Sequence, residues 1–310
     1  MNVSTITGRE LWAWRRWAVG MAIAHGVSNR EVDWLLKSVG NLDSLTLRLE
    51  SIAEDRSIEI SMPLDRLSAL WIDRVEQRKP VQYLVGKTCW RDFELVVSSA
   101  VLIPRPETES MIDIALAASD SLQQQGIWVD LGTGSGAIAI GLAKTLPMAT
   151  IFAVDVSAEA LDIATANATR LNVITQINFS QGNWFSPLSQ LQGKVAGIIS
   201  NPPYIPSREV LQLQREVVNH EPHLALDGGL DGLDAIRELV NTAPKYLQPG
   251  GIWLVEMMAG QGAMVVELLE QQGSYTDIEI INDLAGLDRF VLAKKSFAIA
   301  IPLLFAETLR

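Results

Sequence analysis

Apolar positions along this chain fall into two regimes. From residue 1 to about 80 they group into Glu10 to Ala24, Asn29 to Val39 and Leu64 to Arg78, with a polar stretch before the last, and these segments read as helices. Ser28 and Asn29 offer N-cap chemistry before the second, and Pro63 suits the first turn of the third. The pattern predicts a small helical domain. From Pro80 to Leu102 the character changes, and Gly86, Trp90, Phe93 and the run Leu95-Val96-Val97 predict a short hairpin connector. Pro104-Arg105-Pro106-Glu107-Thr108-Glu109 then opens a helix, with Pro106 near its first position and acidic side chains in its first turn.

Beyond that point strand and helix patterns alternate: Ile127 to Leu131, Ala137 to Thr145, Thr150 to Val154, Ala158 to Leu171, Gln176 to Ser180, Val195 to Ser200, Gly232 to Tyr246, Gly251 to Glu256, Gln261 to Gln271, Thr276 to Ile281 and Arg289 to Ala293. Alternation of this kind predicts an α/β, doubly wound and mostly parallel sheet. The last two strands are separated only by Asn282 to Asp288, so they form a hairpin, which places one antiparallel strand at the end of the sheet. The expected domains are 1–79, helical; 80–103, hairpin linker; 104–295, the α/β domain; and 296–310, a tail of unknown role. No internal repeat or low-complexity segment is visible.

Composition narrows the class. A chain of 310 residues that is 48% hydrophobic can bury a full α/β core plus a smaller one. The net charge of −11 argues against binding nucleic acid mainly through a positive surface. Cys89 is the single cysteine, which rules out an intrachain disulfide and a cysteine-based metal cluster and fits a reducing, cytoplasmic setting. Arg15 and Arg16 precede an apolar stretch, Trp17 to Ala24, that is short, holds Gly20 and lacks a small-residue cleavage pattern, so it reads as an amphipathic helix and not a signal peptide. Phe297 to Ala306 is apolar but contains Pro302 and falls well short of the roughly 20 residues that cross a bilayer. No membrane association is expected.

Candidate chemistry lies at the strand ends. Asn201-Pro202-Pro203-Tyr204 closes the apolar run from Val195 to Ser200. Its prolines remove two donors and press Asn201 into extended backbone, so the Asn201 side-chain oxygen and the Pro202 carbonyl are acceptors suited to a planar group bearing two N–H bonds; a loop that uses proline simply to stop a strand is the competing reading. Gly132-Thr133-Gly134-Ser135-Gly136 follows a strand and opens a helix, where glycine lets backbone approach a ligand. Its Gly-x-Gly-x-Gly spacing differs from the pyrophosphate-binding Gly-x-Gly-x-x-Gly, and close helix packing also explains such a run. Asp155 ends the next strand, where an acidic side chain accepts from ribose hydroxyls or caps the following helix. Asn183 and Trp184, within Gln181-Gly182-Asn183-Trp184-Phe185, offer an amide and an aromatic wall to adenine, although a tryptophan there also serves a core. Together the four strand ends look like an S-adenosylmethionine-dependent methyltransferase of the Rossmann-like class.

Taken along its length, the chain resembles the release-factor glutamine methyltransferases. The resemblance is carried by Pro80-Val81-Gln82-Tyr83-Leu84-Val85-Gly86, by Val101 to Glu109, by Asp130 to Gly136 and Asn201 to Ile205, by Glu221-Pro222 with Leu224-Ala225-Leu226, by Gly228-Gly229 with Asp231 to Asp234, and by Leu284 to Arg289. It covers about residue 28 to 294. The chain departs from the family pattern in three places: Asn183 stands for an acidic residue at the adenine, Val255-Glu256-Met257-Met258 replaces a Glu-Ile-Gly sequence, and the tail after Lys295 is extra.

The resemblance implies methylation of the side-chain amide nitrogen (N5) of the glutamine in the Gly-Gly-Gln motif of peptide chain release factors. Asn201, Pro202 and Tyr204 are then catalytic, and Asn201, Pro202, Pro203 and Tyr204 hold the substrate amide. Gly132, Thr133, Gly134, Ser135, Gly136, Asp155, Asn183, Trp184 and Asn201 hold S-adenosyl-L-methionine, and no metal is required. Tyr204 would pack on the amide, while His220 and His223 have no catalytic role in this reading. The partner is a release factor, with no direct nucleic-acid contact and a monomeric enzyme. Two other readings stand beside it: a nucleic-acid amino methyltransferase using the same strand-end motif, and a noncatalytic interaction protein that keeps the cofactor as a structural ligand.

Overall fold

Thr7 starts the first helix. Its hydroxyl accepts from Glu10 N and the Glu10 carboxylate accepts from Thr7 N at 2.7 Å, a reciprocal cap that moves the helix start ahead of the expected Glu10. The computed structural model describes residues 3–40 and 42–297; of the expected tail, 298–310 lie outside the described residues. The chain divides into two units, the first containing residues up to Thr88 together with 96–99 and 212–221, the second containing 89–95, 100–211 and the chain from Pro222.

The first unit opens with β1 (Ser4–Thr7), α1 (Gly8–His25), α2 (Arg30–Gly40), α3 (Ser44–Leu49), β2 (Ser57–Ile60), α4 (Leu64–Glu76) and α5 (Val81–Val85). The polar stretch before α4 is thus not loop throughout. β2 alternates buried Ile58 and Ile60 with exposed neighbours and pairs antiparallel with β1, supplying the period-2 pattern over a segment too short to read without its partner. Pro63 occupies the N-cap position of α4, one residue ahead of the first turn. Leu11, Val32, Leu35, Leu36, Leu67 and Trp71 form the core of this unit, and the Trp71 indole donates to the Ala18 carbonyl at 3.0 Å, satisfying a donor that burial would otherwise leave costly.

After α5 come β3 (Lys87–Trp90) and β4 (Phe93–Val96), which form a two-stranded sheet. The second unit then runs α6 (Ser110–Ala118), β5 (Ile127–Leu131), α7 (Ala137–Thr145), β6 (Thr150–Asp155), α8 (Ala158–Arg170), β7 (Ile177–Gln181) and β8 (Val195–Ser200). The short helices α9 (Ser207–Val210) and α10 (Arg215–His220) follow, α10 lying in the segment that packs with the first unit. The chain closes with α11 (Asp234–Thr242), β9 (Leu247–Glu256), α12 (Gly262–Gln272), β10 (Tyr275–Asn282) and β11 (Asp288–Lys295).

Seven strands form one sheet in the order β10-β11-β9-β8-β5-β6-β7. β9, β8, β5, β6 and β7 are mutually parallel, and β11 is antiparallel to both its neighbours. The antiparallel strand therefore sits second from the end, with its hairpin partner β10 outermost. Alternate strand residues feed two cores. Trp128, Ile199, Ile252 and Leu254 meet α6 and α7 through Ile112, Ile138 and Leu142, while Val129, Ile198, Trp253 and Val255 meet α11 and α12 through Ile236, Leu239 and Leu269. That is the layering of a sheet covered on both faces.

Register positions the strand ends. Leu131 at the end of β5 is level with Val154 on β6 and with Ser200 on β8, so the residues that follow, Gly132, Asp155 and Asn201, emerge together. The β5–β8 ladder shifts between Ile127 and Trp128, which lies opposite Gly197. The Trp128 ring occupies the place of a side chain there: a Cβ on Gly197 would stand 2.2 Å from it. The indole is held from its other end by a 2.8 Å hydrogen bond to the Gln123 carbonyl. Gly197→Ala should accordingly lower stability by about 3 kcal/mol through overpacking, measured by thermal or denaturant unfolding; an unchanged midpoint would mean that the indole does not fix this register.

Candidate functional site

The glycine turn after β5 is tied to β6 by its own backbone, since Gly132 N and Thr133 N both donate to the Val154 carbonyl at 2.9 and 3.0 Å. Gly134 has φ +54, and a Cβ there would project into open space; the turn presents bare backbone, as a closely approaching ligand requires. Gly134 N donates to Asp155 Oδ2 at 2.8 Å and Ser157 N to Asp155 Oδ1 at 2.9 Å. The carboxylate is thereby fixed across two strand ends with lone pairs left to accept further bonds. Ser157, not Asp155, caps α8, its hydroxyl accepting from Ala160 N at 3.2 Å.

Asp130, one residue before the end of β5, stabilises the same turn from below. Its Oδ2 accepts from the Thr133 hydroxyl at 2.6 Å and from Ala139 N at 3.0 Å, linking β5 to the start of α7. Its Oδ1 is buried without a hydrogen-bond partner among the described residues. Burial pushes this carboxyl up to about 7, because desolvation disfavours the charged form more than its two donors favour it.

A cavity of about 250 Å³ opens at this edge, entirely within the second unit. Of the residues singled out in the sequence, Gly132, Thr133, Gly134, Ser135, Asp155, Asn183, Trp184, Asn201 and Pro203 line it. Gly136, Pro202 and Tyr204 do not. Gly136 is the N-cap of α7 and Pro202 is buried. The Tyr204 hydroxyl is turned to Glu256 Oε1 at 3.0 Å, and burial holds it well above its usual value, with Glu256 adding to the effect. The Trp184 ring lies 3.6 Å from where a Cβ of Gly132 would be, so it roofs the glycine turn, and the Asn183 side chain is exposed at the wall. Pro104, Arg105, Thr108, Pro222 and Leu224 also line it; none was singled out in the sequence as a site residue.

At the end of β8 the Asn201 Nδ2 donates to Thr108 Oγ1 at 3.1 Å, and the Thr108 hydroxyl donates in turn to Glu256 Oε2 at 2.6 Å. Glu256 is 1% exposed, and burial raises its carboxyl above the usual range against the hydroxyls of Thr108 and Tyr204. Asn201 Oδ1 and the Pro202 carbonyl accept no hydrogen bond from any of the described residues. His220 lies elsewhere, in the first unit, with Nε2 2.7 Å from the Gln77 carbonyl. Among the described residues no cluster of His, Cys, Asp and Glu is placed to hold a metal ion, and no helix is long and apolar enough to cross a membrane.

The methyltransferase small domain family model matches residues 113–231. The release factor glutamine methyltransferase of Synechocystis sp. is 51% identical, covering 95% of this chain and 99% of its own length, and that of Thermosynechococcus vestitus is 47% identical, covering 93% and 99%. The protein of the same name from Geobacter sulfurreducens is 36% identical over 91% of this chain and 96% of its own. Among solved structures, the hMettl16 catalytic domain superposes with a TM-score of 0.52 at 16% identity, covering 75% of this chain and 80% of that one, a likeness of fold.

The buried Asp130 carboxyl has a pH signature. Its native value lies above that of an unfolded aspartate, so between about pH 4 and 7 the native state holds a proton that the unfolded chain releases, and stability falls as pH rises through that window. Urea unfolding of Asp130→Asn should therefore show a stability difference from wild type that moves in favour of the variant between pH 5 and pH 8. A difference constant with pH would contradict the raised value.

Proposed function

The chain belongs to the release factor glutamine methyltransferases, and from that premise we propose that it methylates the side-chain amide nitrogen of the glutamine in the Gly-Gly-Gln motif of peptide chain release factors, with S-adenosyl-L-methionine as donor. The observation that carries the proposal is the condition of Asn201: its Nδ2 is committed to Thr108, while its Oδ1 and the Pro202 carbonyl accept nothing from the described residues. Two acceptors with this chemistry match the two N–H bonds of a primary amide.

The cavity residues suit the donor. Asp155, fixed by two backbone N–H groups, accepts from ribose hydroxyls in this reading. The open backbone from Gly132 to Ser135 accommodates close approach, and Asn183 and Trp184 offer an acceptor and an aromatic face to adenine. When bound, S-adenosyl-L-methionine supplies an electrophilic methyl group.

The protein's part is positioning. An amide nitrogen is weakly nucleophilic because its lone pair is delocalised into the carbonyl. Asn201 Oδ1 and the Pro202 carbonyl fix the plane of the amide and the direction in which its nitrogen faces the cavity. As positive charge develops on nitrogen, the same oxygens stabilise its N–H bonds, and because they are already oriented this is worth on the order of a few kcal/mol. No strong base is needed before attack, and the extra proton leaves afterwards. Tyr204, its hydroxyl held by Glu256, packs its ring on the planar amide in this reading. We assign the grip on the body of the release factor to the helical unit, the setting to the cytoplasm, and the working form to a monomer that touches no nucleic acid directly.

Incubation of the enzyme with a purified release factor and S-adenosyl-L-methionine, followed by peptide mass spectrometry, should find one added methyl on the Gly-Gly-Gln glutamine; transfer to RNA or DNA instead, or no transfer, would overturn the reading. Asn201→Ala should lower kcat at least about 100-fold with cofactor affinity by calorimetry nearly unchanged. Asp155→Ala should show the converse, a roughly 10-fold or greater loss of cofactor affinity. Loss of cofactor affinity in Asn201→Ala with turnover of the bound complex intact would reverse these assignments.

A further inference from the structure

Glu256 follows Val255 on β9, and Val255 is level with Ser200 on β8, so Glu256 and Asn201 are the next residues on adjacent parallel strands. Between them stands Thr108, brought from the 3₁₀ turn Glu107–Glu109. The two ends of an asparagine amide are nearly the same size, and only their hydrogen-bond partners decide which way the group is turned. We propose that Glu256, acting through the Thr108 hydroxyl, sets the orientation of the Asn201 amide, so that its oxygen and not its NH2 group faces the cavity.

Both Glu256 oxygens accept, Oε1 from the Tyr204 hydroxyl at 3.0 Å and Oε2 from the Thr108 hydroxyl at 2.6 Å. A threonine hydroxyl has one proton, and Thr108 gives it to Glu256. What remains toward Asn201 is a lone pair, which requires a donor, and Nδ2 fills that role at 3.1 Å. The donors therefore run in one direction, from Asn201 to Thr108 to Glu256, and Oδ1 is left on the other side. Were the Thr108 proton turned toward Asn201, the amide would have to rotate, and its NH2 would meet the N–H bonds of the substrate donor to donor. Thr108 and Glu256 are positioning residues: neither is assigned a contact with the reacting nitrogen. The inference deepens the function proposed above and rests on Asn201 Oδ1 being the acceptor for the substrate amide.

Thr108→Val keeps the shape of the side chain and deletes the hydroxyl; Thr108→Ser keeps the hydroxyl. In Thr108→Val, kcat for release-factor methylation should fall about 10- to 100-fold, with the KM for the release factor and the calorimetric Kd for S-adenosyl-L-methionine each within about threefold of wild type. Thr108→Ser should recover kcat to within about threefold. A readout independent of turnover is the Asn201 side-chain NH2 in protein labelled with ¹⁵N-asparagine and free of ligand: its protons should exchange slowly with water in wild type and Thr108→Ser, and rapidly in Thr108→Val. Wild-type kcat in folded Thr108→Val, a Thr108→Ser variant as impaired as the valine, or a wild-type Asn201 NH2 that exchanges as fast as an exposed asparagine would each overturn the relay. Failure of the wild type to methylate a release factor would count against the function and leave the exchange measurement as the test of the orientation.

Discussion

The register of three parallel strands governs everything at the cavity. β5 sits between β6 and β8 with Leu131 level with Val154 and Ser200, so one turn, one carboxylate and one amide leave the sheet side by side. A slip of a single residue would turn each of these side chains to the opposite face. What prevents it is steric as well as hydrogen-bonded: the Trp128 ring fills the space that Gly197 leaves empty, and the shift in the β5–β8 ladder falls at that point. A glycine buried in mid-strand has here a geometric reason.

Two buried carboxylates carry the next level of organisation, and they do so in similar ways. Asp130 and Glu256 each take a threonine hydroxyl at 2.6 Å, from Thr133 and Thr108 respectively. Each thereby ties the end of a strand to a segment that lines the cavity. Burying a carboxylate costs free energy that its hydrogen bonds offset only in part, and the raised pKa of both groups expresses that balance. The compensating gain lies in the fixed orientation of the Gly132–Gly136 turn and of Asn201.

Much of this was legible locally. β5, β8 and α7 run as their apolar patterns indicate, from Ile127, Val195 and Ala137 respectively, because a strand buried on both faces is a continuous apolar run and the glycine turn marks the boundary before α7. Asn201, Asp155 and the glycines stand out because each closes a strand within its own few residues. What was not legible depends on partners far along the chain. β1 and β2 lie far apart in sequence and define each other's alternation. Thr108 meets Glu256 across 148 positions, and the stretch containing Glu256 showed only as a departure from the family pattern. The Tyr204 hydroxyl on Glu256 is another contact that sequence spacing does not reveal.

The helical unit is not a continuous piece of chain. Arg74, 5% exposed, donates to both oxygens of Glu31 and, at 3.0 Å, to Glu216 on α10, a residue that arrives 142 positions later. A fragment ending at Thr88 would retain the buried tryptophans Trp12, Trp14 and Trp71. It would nonetheless deprive that sequestered guanidinium of one of its two counter-ions, and would leave the Gln77 carbonyl without the His220 ring that meets it. Excising the N-terminal portion at the apparent linker therefore severs a charge network and does not liberate a self-sufficient module. Any fragment meant to isolate it has to carry residues 212–221 along, grafted or supplied as a peptide.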